Sequence, residues 1–145
     1  MDTSSVAIDM FLKGYNCTQA ILYAFHNQSG ITGDMALKIA CGLGAGMGRK
    51  GEVCGAVTGG ILVLGLRYGR GIHDDRTAME TTYAKTQELM NRFSSRHGSC
   101  ICRQLLNGCD LMTDDGQRLF KEHDYLNKVC VNCVRSVVAI LEQIA

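Results

Sequence analysis

Eight cysteines, spread over 145 residues that include no proline and no tryptophan, constrain this chain more than any other feature. A domain of this length buries roughly two-thirds of its unfolded surface, so it needs no covalent staples to fold. The opening Met1-Asp2-Thr3-Ser4-Ser5 has neither the basic start nor the apolar core of a secretory signal. The expected setting is therefore a reducing, cytoplasmic one in which structural disulfides are rare. The thiols are better read as chemistry: nucleophiles, redox pairs or metal ligands.

Helical periodicity dominates. After Asn16, the residues Cys17, Ala20, Ile21, Ala24 and Phe25 recur at spacings of three and four, and Asn16 with Gln19 forms a capping box that puts Cys17 in a first turn. A preceding helix over about Ser4–Lys13 ends at Gly14. A further helix follows Thr32-Gly33-Asp34 through Ala40 and runs into the glycine-rich segment Gly42–Gly51. The next is expected to start near Glu52 with Cys54 in its first turn, and a long amphipathic helix spans Asp75 to about Arg96. Cys100 and Cys102 open a short segment through Leu106, and Leu119–Tyr125 is a weaker helical stretch. The last helix carries Cys130, Cys133, Val134, Val137, Leu141 and Ile144 on one face. No strand pattern, repeat or linker divides the chain. The expected fold is all-α, a single domain over residues 1–145 built as a bundle of about five to seven helices.

Charge excludes some functions. Fifteen basic and fourteen acidic side chains leave a net charge of +1, which is no electrostatic footprint for nucleic acid. The most apolar stretch, Val53–Leu66, falls short of the ~20 residues of a membrane span and reads as a buried helix, its Gly55-x-x-x-Gly59 spacing suited to close packing. The glycine run lacks the GK[ST] ending of a phosphate loop, since Gly46-Met47-Gly48-Arg49-Lys50-Gly51 ends in glycine. A tight loop approaching the cysteines is the better reading.

A helix N-terminus favours a thiolate through its free N–H groups and dipole. That singles out Cys17 and Cys54, with Cys102 next to Arg103, and Cys130 near the start of the last helix. Four such sulfurs suit an iron–sulfur cluster or a closed zinc site. Their separations of 37, 48 and 28 positions match neither local signature, so only the tertiary fold or a dimer could gather them. Cys130-Val131-Asn132-Cys133 is a C-x-x-C pair, but Val134 rather than His follows, which argues against haem attachment, and Cys133 reads as core. Cys41 and Cys109 read as core too. Of the four histidines only His97 lies near a cysteine segment.

Gly14-Tyr15-Asn16-Cys17-Thr18-Gln19-Ala20, Gly48–Gly59 with its Cys54-Gly55-Ala56-Val57-Thr58-Gly59, Leu64–Gly69 and Ile101-Cys102-Arg103 through to Cys130 together resemble the C_GCAxxG_C_C family. That family is described as redox-active and is marked by a CGAxxG motif and four characteristic cysteines. The resemblance places those four on Cys17, Cys54, Cys102 and Cys130, and leaves Cys41, Cys100, Cys109 and Cys133 outside. Through the family's similarity to the non-haem portion of split-Soret cytochromes it also implies an iron–sulfur cluster, homodimerisation and an unknown redox partner; no haem is implied here, because Cys-x-x-Cys-His is lacking.

Three functions follow as expectations. The leading one is a redox protein whose Cys17, Cys54, Cys102 and Cys130 ligate an iron–sulfur cluster for electron transfer or redox sensing. The second is a cluster-free thiol–disulfide oxidoreductase, with Cys54 and Cys17 as its redox thiols and Cys54 as nucleophile. The third is a structural zinc-binding or interaction module on the same four sulfurs.

Overall fold

Side-chain caps set where the helices begin. Asp2 accepts from the Ser5 N–H ahead of α1 (Thr3–Leu12), Thr32 from Met35 ahead of α4 (Gly33–Ala40), and Asp75 from Thr77 ahead of α7 (Arg76–His97). Asn16 and Gln19 form the expected capping box at α2 (Cys17–Ala24). The computed structural model describes residues 1–144 and is all-α, with no strand among them. The remaining segments are α3 (His26–Ser29), α5 (Gly44–Met47), α6 (Gly55–Tyr68), α8 (Cys102–Leu105), α9 (Asp114–Glu122) and α10 (Val131–Ile144), the last continuing from a π-helical turn over Leu126–Cys130.

The helix count exceeds the expected five to seven. The excess lies in one-turn segments such as α3 and α8, too short for a hydrophobic period to show. Two boundaries also differ. Residues before Gly55 stay extended because Val53 pairs with Ile101 in an isolated antiparallel bridge, so Cys54 caps α6 instead of entering its first turn. And α9 starts at Asp114 rather than near Leu119, since Thr113 accepts from the Gly116 N–H and Asp114 and Asp115 suit the positive helix end.

α6 is the central helix, packed against α2, α7 and α10. Phe25, Ile21, Leu64, Leu89, Phe93, Ile140 and Leu141 are fully buried around it, each such side chain contributing about 1.5–3 kcal/mol on leaving water. α6 and α2 touch at backbone distance, as the Gly55-x-x-x-Gly59 spacing suggested, and Thr18 and Thr58 hydroxyls meet at 3.2 Å in the contact. Among the described residues no helix is long and apolar enough to cross a membrane.

Gly59 reports on that contact. A Cβ there would lie 2.8 Å from Ile21 Cβ and 3.0 Å from the Thr18 carbonyl oxygen. Alanine gains roughly 0.5–1 kcal/mol of helix preference over glycine, whereas crowding a packed backbone costs about 1–3 kcal/mol. Gly59→Ala is therefore expected to lower the urea midpoint with an unchanged m-value. A raised midpoint would mean that α2 and α6 separate without penalty.

Candidate functional site

The segments that carry the cysteines are tied together by backbone hydrogen bonds. The Cys54 N–H donates to the Cys100 carbonyl at 2.7 Å, the Cys102 N–H to Glu52 at 2.6 Å and the Arg103 N–H to Gly51 at 3.1 Å. This clamp sets Cys54, capping α6, beside Cys102, the first residue of α8. Cys17 opens α2 directly against Gly55, where a Cβ would strike its sulfur. Cys130 ends the π turn and Cys133 follows one turn later in α10.

The glycine-rich segment closes over these residues in an unusual conformation. Ala45, Gly46, Met47, Gly48 and Arg49 all have positive φ, a left-handed turn that costs non-glycine residues roughly 1–2 kcal/mol each. Only glycine fits at position 46, where a Cβ would sit 2.8 Å from Cys102 Cβ and 2.7 Å from the Glu52 nitrogen. The turn brings Ala45 to the site, its N–H toward Cys17. Strain of this kind concentrates at functional sites.

Cys17, Cys54, Cys102, Cys130 and Cys133 all line one cavity of about 130 Å³, whose other walls include Phe11, Asn16, Leu105, Leu106, Leu111, Phe120, Leu126 and Val129. One water needs about 10–15 Å³ measured in this way, so the space holds several atoms. Among the described residues no group of three or more His, Cys, Asp or Glu side chains is placed to hold a single metal ion. The five sulfur-bearing residues border one shared volume.

Burial in apolar surroundings opposes ionisation. It pushes Cys17 up to about 12, reinforced by Cys54, although N–H groups of Ala45 and Thr18 favour the anion. It pushes Cys102 up to about 11, and Cys130 further still. The helix-start argument therefore fails as a guide to thiolates at Cys17 and Cys102, and Arg103 does not rescue Cys102: burial outweighs it, and its guanidinium also reaches Asp110 at 3.4 Å. Cys54 alone is shifted down, first by hydrogen bonding from the Cys133 thiol and then, against burial, by the Ala56 and Val57 N–H groups at the start of α6. The Cys133 thiol moves up, chiefly through the same bond.

Cys133, read from sequence as core, is 2% exposed and lines the cavity as well. Its signal was the i, i+3 spacing from Cys130, which puts both on one helix face. Cys41, also expected in the core, is exposed where α4 gives way to a short 3₁₀ turn over Cys41–Leu43. Cys109 is buried, its thiol on the Gly116 carbonyl at 3.0 Å, and Cys100 donates to the Met90 carbonyl at 3.4 Å. His97 stacks on Phe93 and meets Ser136 Oγ at 2.8 Å, away from the cavity lining.

A protein-family model described as "Putative redox-active protein (C_GCAxxG_C_C)" matches residues 15–144. No curated protein matches the chain, and no solved structure does.

Proposed function

The chain belongs to the C_GCAxxG_C_C family, and we propose that Cys17, Cys54, Cys102 and Cys130 hold an iron–sulfur cluster and that the protein serves in electron transfer or redox sensing. One observation carries the reading: thiols from four separate parts of the chain border a single apolar-walled cavity with room for several atoms. A space of that size, edged by four thiols, suits a group with extent such as a cluster. Such a cluster, when bound, would supply one-electron chemistry at a potential tuned by the hydrogen bonds and solvent exposure around its sulfurs.

The chain's own residues account for the rest. Phe11, Leu106, Leu126 and Val129 give the sulfurs an apolar wall, and N–H groups of Ala45, Thr18, Ala56 and Val57 point at Cys17 and Cys54, where they stabilise anionic sulfur. Cys17 and Cys102 would give up their protons on loading, because a metal binds the thiolate.

The test is iron, acid-labile sulfide and zinc per chain in anaerobically purified protein, with its visible spectrum and a Cys54→Ser control. Iron with sulfide, lost in the control, is expected. Zinc without colour would transfer the site to the structural module. A metal-free protein with one fast-alkylating thiol would support the thiol–disulfide oxidoreductase, which the downward shift of Cys54 alone among the cavity thiols favours.

A further inference from the structure

Cys133 lies outside the four cysteines that mark the family, yet it is buried in the cavity wall against Cys54. The two thiols are within hydrogen-bonding reach of each other. Cys54 sits at the N-terminal end of α6 and Cys133 in the first turn of α10, two helices packed side by side, so a bond between them would close across an existing contact. Neither is in a disulfide; Cys54 belongs to the proposed ligand set and is available in the metal-free chain, while Cys133 stands outside that set.

We propose that Cys133 is the resolving thiol for Cys54, so that in the metal-free chain the two close to a disulfide when a hydroperoxide small enough to enter the cavity oxidises Cys54. The inference goes beyond the cluster reading and concerns the chain when no cluster is bound. In the first step the Cys54 sulfur attacks one oxygen of hydrogen peroxide and the O–O bond breaks. The departing hydroxide leaves as water with the proton Cys54 gives up, and Cys54 becomes a sulfenic acid. In the second, the Cys133 sulfur attacks that of Cys54, the S–O bond breaks, and hydroxide leaves as water with the Cys133 proton. Two thiols lose two electrons in total, and one peroxide is reduced to two waters. The product shields Cys54 from irreversible oxidation, and thiol reductants restore it.

The experiment treats the full-length, reduced, metal-free chain with an equimolar amount of hydrogen peroxide, alkylates the remaining thiols and maps disulfides by mass spectrometry without reduction. A Cys54–Cys133 linked peptide is expected as the main product. In Cys133→Ser that link disappears and Cys54 is recovered as the sulfenic-acid adduct of a dione probe; Cys133→Ala serves the same purpose if a hydroxyl in the core prevents folding. Linkage of Cys54 mainly to Cys17, Cys102 or Cys130 would overturn the assignment, as would a Cys54 left as free thiol while exposed Cys41 is oxidised. So would loss of iron and sulfide in anaerobically purified Cys133→Ala, which would make Cys133 a ligand. A wild-type protein without iron would instead defeat the cluster reading and leave the disulfide map as an independent result.

Discussion

The reduced, metal-free chain is expected to lose stability steeply as pH rises above 9, with its melting temperature falling by on the order of 5–10 °C between about pH 9.5 and 10.5. An ordinary thiol ionises near 9.0, whereas Cys17 in the folded chain is pushed up to about 12 and Cys102 to about 11. In that window the unfolded chain has released protons that the folded chain keeps, so each thiol removes about 1.4 kcal/mol of stability per pH unit. Cys17 and Cys102 together give about 2.7 kcal/mol per unit, and Cys100, Cys130 and Cys133, also raised, act in the same direction. The stabilisation from Cys17 and Cys102 is fully present below about pH 9 and is lost as pH climbs through 11 and 12. Cys54, shifted down, works in the opposite sense, but its contribution is gained as pH rises toward 9 and stays constant above it. Lysine and tyrosine titration add a background that Cys17→Ser and Cys102→Ser separate. Thermal melts followed by circular dichroism under reductant should show a shallower slope in each variant. If both variants keep the wild-type slope, these thiols are not held neutral by the fold.

The sequence is most legible where its signals are local. The capping box fixes where α2 starts, with Cys17 in its first turn as expected, whereas α6 starts at Gly55 and leaves Cys54 as its cap. The three long-range separations carried no such information, and the gathering of Cys17, Cys54, Cys102 and Cys130 around one cavity depends on contacts between α2, α6 and α10 and on a two-residue bridge at Val53 and Ile101. The thiols' ionisation was misjudged because burial is a tertiary property. A helix N-terminus lowers a thiol only while water or other partners share the load; inside an apolar wall, desolvation wins at Cys17 and Cys102 and loses at Cys54, where Cys133 adds a donor.

The left-handed turn was legible only in part. Glycines at 46, 48 and 51 announce a tight loop, but Ala45, Met47 and Arg49 give no hint of positive φ. The fold imposes it, since Gly44 must lie against Asn16 while Gly46 passes Cys102 and the Glu52 N–H returns to the Gly46 carbonyl at 2.9 Å. Three non-glycine residues held there cost several kcal/mol in sum, a strain that the surrounding core offsets. The return is the Ala45 N–H directed at Cys17.

Gly55→Val should abolish the site and destabilise the chain by about 3 kcal/mol or more, the upper end of the cost of overpacking. Position 55 is the first residue of α6, where a helical backbone accepts any L-residue and a larger side chain would by itself reduce the entropy of the unfolded chain. Two contacts decide otherwise. A Cβ at 55 runs into the Cys17 sulfur and sits 2.7 Å from Thr18 Oγ1, and Thr18 is fully buried with its hydroxyl on Thr58. Neither partner can swing into solvent, because one lines the cavity and the other lies between α2 and α6. The two methyls of valine extend the collision from an atom to a surface. Relief requires α2 to move off α6, which takes Cys17 away from Cys54 and opens the cavity between them. The variant's urea midpoint, together with its iron and sulfide content after anaerobic purification, checks both consequences. Loss of iron with Gly55→Val but retention in Gly59→Ala, which strains the same helix pair one turn further from the sulfurs, would locate the effect at Cys17. Equal loss in the two would assign it to the helix contact as a whole, and a Gly55→Val protein as stable as wild type would show that α2 and α6 are not held at backbone distance.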